Sequence, residues 1–296
     1  MDKFKGALAV FIGAASFGIL STFVKKAYAA GFDLGEVTGV QALLGMLFLW
    51  LLHFIIGGNK DKTQYPQLSK KWKILVSGIS TGAVSILYYK SVELVPASIA
   101  IVLLMQFIWI SALINYIVFK QKPTKWESIG IICILASTFL ATGAFEDSFS
   151  SISPLGIMFG MLAATAYAIF IIVNGKVGND YPPVVKSALM VTGACIFIFI
   201  TLQPFSLFDI NNDLGIYKYG LILSLFGTVL PPFLFAYGMP KTGVSLGSIL
   251  SAVELPVAVC LSFFVLHEPV SILQWVGVLL ILFFVVLINS IKKNSN

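Results

Sequence analysis

No arginine occurs among the 296 residues, so all 19 basic side chains are lysines. Two-pronged clamping of a carboxylate or phosphate by a planar guanidinium is therefore excluded, and an anion site must use lysine, backbone N–H or hydroxyl groups. Histidine and cysteine are scarce too. His53 and His267 fit neither a triad nor an HExxH pattern, and Cys133, Cys195 and Cys260 are odd in number, lie in apolar runs and lack metal-ligand spacing. Nucleophilic hydrolysis, a zinc site and a disulfide framework are thus without support, and neither a cofactor nor an enzymatic role is expected. No glycine-rich stretch outside the apolar runs resembles a Walker loop, which argues against direct use of ATP. Charge of either sign is thin at 11%, against 58% hydrophobic residues and a mean hydropathy of +0.96. A soluble domain cannot cover its surface from that supply, so the chain is all-α and polytopic in a membrane. The net charge of +6 does not mark a nucleic-acid partner, because the lysines sit in short gaps between apolar runs and form no basic face.

What is present is a succession of apolar runs near the length that crosses a bilayer as a helix. Ten are expected, at about 6–24, 35–56, 74–92, 97–118, 127–145, 154–174, 185–204, 218–239, 244–265 and 271–291. The first imitates a cleavable signal, with Ala27-Tyr28-Ala29 behind it, but it is longer than a signal's apolar core and its pattern returns in mid-chain. With both termini cytoplasmic, 15 of the 19 lysines fall inside, leaving Lys25, Lys26, Lys90 and Lys218 outside. That asymmetry fixes the expected orientation. A repeat underlies the runs. Gly6, Ala14, Phe17, Ile19 and Lys26 match Gly156, Ala164, Tyr167, Ile169 and Lys176 at an offset of 150, and Pro96 to Ala100 with Gly130 match Gly243 to Gly247 with Gly277 at 147. Two five-helix repeats are expected, at 1–145 and 154–296, joined by a loop at 146–153. Five is odd, so the second repeat enters the membrane inverted, an arrangement that places a binding site between the halves at mid-depth.

Glu254 is the residue to explain, a lone carboxylate inside the apolar stretch Gly243 to His267. An acid near the centre of a membrane helix costs about 2–4 kcal/mol or more, and it needs water or a partner. Helical spacing puts it on a small-residue stripe with Gly243, Gly247, Ser251, Ala258 and Ser262. Two readings stand: a binding or proton-coupling acid, or a structural acid bonded to a carbonyl freed at a Pro256 kink. Gln106 shares a helical face with Trp109 and Tyr116, and it either binds a solute or ties two helices together. Of Tyr88 and Tyr89, one is expected to face inward and the other to sit in an interfacial belt. Phe17 and Tyr167, as repeat mates, and Tyr237 are candidate cavity aromatics. Lys90 and Glu93 are spaced to pair across one turn.

Five plus five spans, the small-residue starts Gly6 to Gly18 and Gly156 to Ala168, the acid beside a proline in Glu254-Leu255-Pro256, and His267-Glu268-Pro269 resemble the drug/metabolite transporter superfamily, specifically its EamA-type members. The sequence departs from that family's pattern in the leucine between acid and proline, in Gln106 where an acid is expected, and in Gln41 where many members carry arginine. The resemblance implies a secondary carrier, an exporter of small amphipathic metabolites such as amino acids or amines. It would work by alternating access around a cavity lined by spans 1, 3, 4, 6, 8 and 9, in the cell membrane. Glu254 as a buried carboxylate offers a place for a coupling proton, and the lysine-only basic complement is compatible with a bacterial source. An uptake permease or a non-transporting scaffold are the alternatives.

Overall fold

The computed structural model describes residues 2–57, 71–95, 97–141, 153–209, 214–267 and 270–294. The expected connecting loop up to residue 152, Pro96, Glu268 and the lysines at 60, 62 and 70 lie outside the described residues. Every regular element among those described is helical. In chain order these are α1 (Asp2–Phe17), α2 (Leu20–Ala29), α3 (Leu34–Gly57), α4 (Lys71–Leu94), α5 (Ala97–Met105), α6 (Phe107–Phe119), α7 (Lys125–Ala141), α8 (Pro154–Lys176) and α9 (Pro183–Leu202). A 3-10 turn (Phe205–Phe208) follows, then α10 (Gly215–Leu223), a π-helical stretch (Ser224–Val229), α11 (Leu230–Thr242), α12 (Val244–Ser251), α13 (Glu254–Leu266) and α14 (Ile272–Asn294).

Eight helical runs among these residues are long and apolar enough to cross a membrane, with α1 and α2, α5 and α6, α10 and α11, and α12 and α13 each forming one run. The chain is a multi-pass membrane protein. Two more helices pack among the eight: α4 against α8 and α9, and α7 against α14. The first is 24 residues long but diluted by serine, threonine and glycine, and the second is only 17 residues long.

Local chemistry sets where the helices begin. Asp33 and Glu36 exchange backbone and side-chain hydrogen bonds at 2.8 and 3.1 Å ahead of α3. Thr124 and Glu127 do so before α7, and Ser271 and Gln274 before α14. Each pair is a capping box, which satisfies orphan N–H groups that hydrocarbon will not. The same need explains the hydroxyls inside the bundle: Ser111, Thr138 and Ser251 donate to carbonyls in their own helices at 2.8 to 3.0 Å.

Close helix approach depends on small residues. Gly78 of α4 faces the Met190 carbonyl, and Gly193 of α9 faces the Leu75 carbonyl, so neither position has room for a β-carbon. The break in the 244–266 run falls at Ala252 and Val253, which corrects the expected kink at Pro256. Pro256 lies in the first turn of α13, where a missing N–H costs nothing because that turn's donors have no helical partner. The small-residue stripe is thereby divided, with Gly247 and Ser251 on α12 and Ala258 and Ser262 on α13. Pro231 and Pro232 open α11 directly after the π-helical stretch, which takes up the irregularity they impose.

Candidate functional site

Two interrupted helical runs meet at Glu254. Gly18 lies between α1 and α2, and a β-carbon there would sit 2.5 Å from the Glu254 carbonyl oxygen and 2.7 Å from Val257 Cβ. Only a glycine lets the first break pack onto the second. At that second break the Ala252 and Val253 N–H groups turn to the carbonyls three residues back, at 3.1 and 3.4 Å. Glu254 then opens α13, at the end of the helix where the backbone dipole favours negative charge.

The acid is buried at 3% exposure, and its Oε2 accepts a hydrogen bond of 3.0 Å from the Tyr167 hydroxyl. Among the described residues its second oxygen accepts none and no lysine pairs with it. Tyr167 is held by rings. Its centroid lies 4.4 Å from Phe107 and 5.7 Å from both Phe17 and Phe170, so α1, α6 and α8 all brace one phenol.

Beside this pair opens a cavity of about 440 Å³, its mouth included, which Phe17, Gln41, Thr81, Tyr88 and Tyr89 also line. Its polar groups fall into two sets. Gln41 is engaged at both ends: its Oε1 accepts from the Tyr89 hydroxyl at 2.7 Å and its Nε2 donates to Thr228 Oγ1 at 3.0 Å. The Thr81 hydroxyl and the Tyr88 hydroxyl, which has Ser21 close by, are buried and make no hydrogen bond of good geometry. Buried polar atoms without partners are few in native proteins, and two on one cavity wall ask for a guest molecule or water. Aromatic faces, a carboxylate with no lysine beside it and two hydroxyls without a well-formed hydrogen bond together suit a small solute with a cationic end and an apolar body. No cluster of metal-ligating side chains exists among the described residues.

Of the residues singled out in the sequence, Glu254, Tyr167, Phe17, Tyr88 and Tyr89 come together on this cavity. Tyr88 and Tyr89 are both buried, at 4% and 1% exposure, so the expectation that one sits in an interfacial belt is corrected. Adjacent residues on a helix diverge by about 100°, and a broad cavity accommodates both. Gln106, Trp109 and Tyr237 lie elsewhere. Gln106 forms the turn between α5 and α6, where its Nε2 donates to the Val102 carbonyl at 3.1 Å and its Oε1 accepts from Trp109 Nε1 at 2.9 Å. Tyr237 is covered by the Lys241 ammonium, 3.4 Å from the ring centroid.

Gln41, Thr81 and Phe170 are among the further lining residues that had not been marked as candidates. A carboxamide in an apolar run was the available signal for Gln41. Lys186, assigned from sequence to a cytoplasmic gap, is instead 1% exposed, and its Nζ donates to the Asn174 carbonyl and to Asn179 Oδ1, both at 2.8 Å. It fastens the start of α9 to the end of α8.

The family model described as the EamA-like transporter family matches residues 4–143 and again residues 154–290. Among curated proteins, the uncharacterized transporter YcbK of Bacillus subtilis (strain 168) is 22% identical over 92% of this chain and 88% of its own length. The uncharacterized transporter YetK of the same organism is 24% identical over 81% and 74%, respectively. A protein of known crystal structure superposes with a TM-score of 0.71 over 94% of this chain and 96% of its own, at 16% identity, a likeness of fold.

Proposed function

We propose, from the premise that this chain belongs to the EamA-like transporter family, that it is a secondary-active exporter of small amphipathic amines or amino acids, driven by proton exchange. The observation that carries this reading is a single unpaired carboxylate, Glu254, on an aromatic cavity inside a membrane protein. One carboxylate holds either a proton or a substrate ammonium at a time. A carrier that must release one to accept the other exchanges them, and an inward proton gradient then drives the amine outward. Tyr88, Tyr89 and Tyr167, with Phe17, offer π faces to the cation and apolar surface to its body.

Alternating access follows from two inverted repeats of five spans, at 1–145 and 154–296, with both termini cytoplasmic. Several findings support that reading. The family model matches once in each half. The run 97–119 and the run 244–266 have the same length at an offset of 147, each is interrupted midway, and each ends on a left-handed residue, Lys120 with φ 56° and His267 with φ 55°. Packing partners exchange in the same way, α1 with α11 and α8 with α4. The acid itself breaks the symmetry, because its counterpart at that offset is Phe107.

Purified protein in liposomes with an imposed pH gradient tests the proposal. The wild type should move labelled organic amines against the proton flow, and Glu254→Gln, which keeps an acceptor for Tyr167, should lose the gradient-driven flux by at least tenfold. Unchanged flux and unchanged pH dependence in that variant would overturn it. Flux in the same direction as the protons would mark an uptake permease, and binding without flux a scaffold.

A further inference from the structure

We infer that the surface groove between α6 and α7 is a binding site for an anionic glycerophospholipid, with one acyl chain along the groove and the headgroup phosphate at Lys122. The groove has about 1,030 Å³ of empty space, open on its outer side, and its walls carry Trp109, Leu113, Tyr116, Ile131 and Ile132. These side chains are aliphatic or aromatic, and Trp109, Leu113, Tyr116 and Ile132 are 38 to 68% exposed, so the wall offers mostly apolar surface to a hydrocarbon chain. The one indole N–H on it is already satisfied by Gln106 Oε1 at 2.9 Å, and the Ser128 hydroxyl donates to the Thr124 carbonyl at 3.1 Å. From Trp109 to Phe119 the helix climbs about 15 Å, half of the roughly 30 Å hydrocarbon core, so the groove spans one leaflet.

Charge selects the headgroup. Lys122 lines the mouth with its ammonium 5.5 Å from the Tyr116 ring centroid, and Lys120 and Lys125 stand exposed on the same turn. Lys176 joins them, donating to Gln121 Oε1 at 2.9 Å. Among the described residues none of these lysines is paired with a carboxylate. Glu127, the nearest acid in sequence, is buried and turned back to the Thr124 N–H at 2.8 Å. The repeat supplies a contrast: the turn at the same offset reads His267-Glu268-Pro269 in place of Lys120-Gln121-Lys122, so the basic mouth belongs to this groove and not to the architecture. The lysine distribution puts the mouth on the cytoplasmic side, the leaflet that carries anionic lipid. Apart from that leaflet assignment the inference is independent of the transport reading.

Retention of phosphatidylglycerol and phosphatidylcholine by the purified transporter, compared by native mass spectrometry from detergent, tests it without any transport assay. The wild type should hold one phosphatidylglycerol in preference to phosphatidylcholine. Each lysine near a phosphate is worth about fivefold, so Lys122→Gln should cut the preference by about that factor, and the triple variant with Lys120→Gln and Lys125→Gln should abolish it. Ile132→Trp, at an exposed place on the wall, should weaken both lipids alike. All these positions except the groove wall are surface lysines, and an unchanged unfolding temperature in lipid-free detergent verifies that the variants fold. Equal retention of the two lipids by the wild type, or a preference that survives the triple variant, would overturn the inference.

Discussion

Gln41 shows how much a single neutral side chain settles in this bundle. Its two ends join residues 48 and 187 positions away, Tyr89 and Thr228, and so tie α3 to α4 and to the π-helical stretch at the cavity wall. Gln41→Leu fits the volume but leaves a buried hydroxyl on each side without its partner. Each such group costs about 1–3 kcal/mol, so the variant should unfold several degrees lower in detergent, as a thermal melt would record, while Gln41→Glu, which can still accept from Tyr89, should lose less. The sequence displayed the carboxamide as an oddity in an apolar run. It could not display the partners, because hydrogen bonds across such separations exist only once the helices have docked. Gln106 makes the complementary point: equally odd in sequence, it bonds to its own helix and its own neighbour Trp109, and never reaches the cavity.

At the scale of the element, the decisive features are close approaches and interruptions. Gly78 and Gly193 let α4 and α9 touch backbone to backbone, and an added methyl group at either position meets backbone atoms first and no side chain that could be pushed aside. Overpacking of this kind typically costs about 1–3 kcal/mol, and more where rigid backbone is the obstacle. Gly78→Ala should accordingly lower the yield of monodisperse protein on size exclusion and depress the melting temperature, whereas Ser77→Ala, one residue earlier, should do neither to a comparable degree. The run of glycine and serine in α4 was readable as a packing face. The position of the break at Ala252 and Val253 was not, since proline was the visible breaker and the break lies instead just before Glu254, where Gly18 of the other interrupted run seats against it.

For the molecule as a whole, orientation is the property that single-cysteine labelling can decide. Cys133, Cys195 and Cys260 are buried or half-buried and can be replaced to give a silent background. Cysteines introduced for Lys90 and Lys218 should then react with a membrane-impermeant maleimide in intact cells, and those for Lys122 and Lys241 only after the cells are opened. Each half contributes one position of each kind, so labelling of both Lys122→Cys and Lys218→Cys from outside would contradict inverted halves.

Sequence alone determined that the chain is helical and membrane-embedded, because those properties follow from composition and from the length of apolar runs. It also marked Glu254, since a charge in hydrocarbon is costly wherever the helix goes. The tertiary structure decided which aromatic and hydroxyl groups surround that acid, that Gln41 belongs beside it and Gln106 does not, and that Lys186 is buried at a helix end. Those choices depend on how helices distant in sequence rotate and seat against one another, and a one-dimensional pattern fixes only the period of a helix, not the face its neighbours will cover.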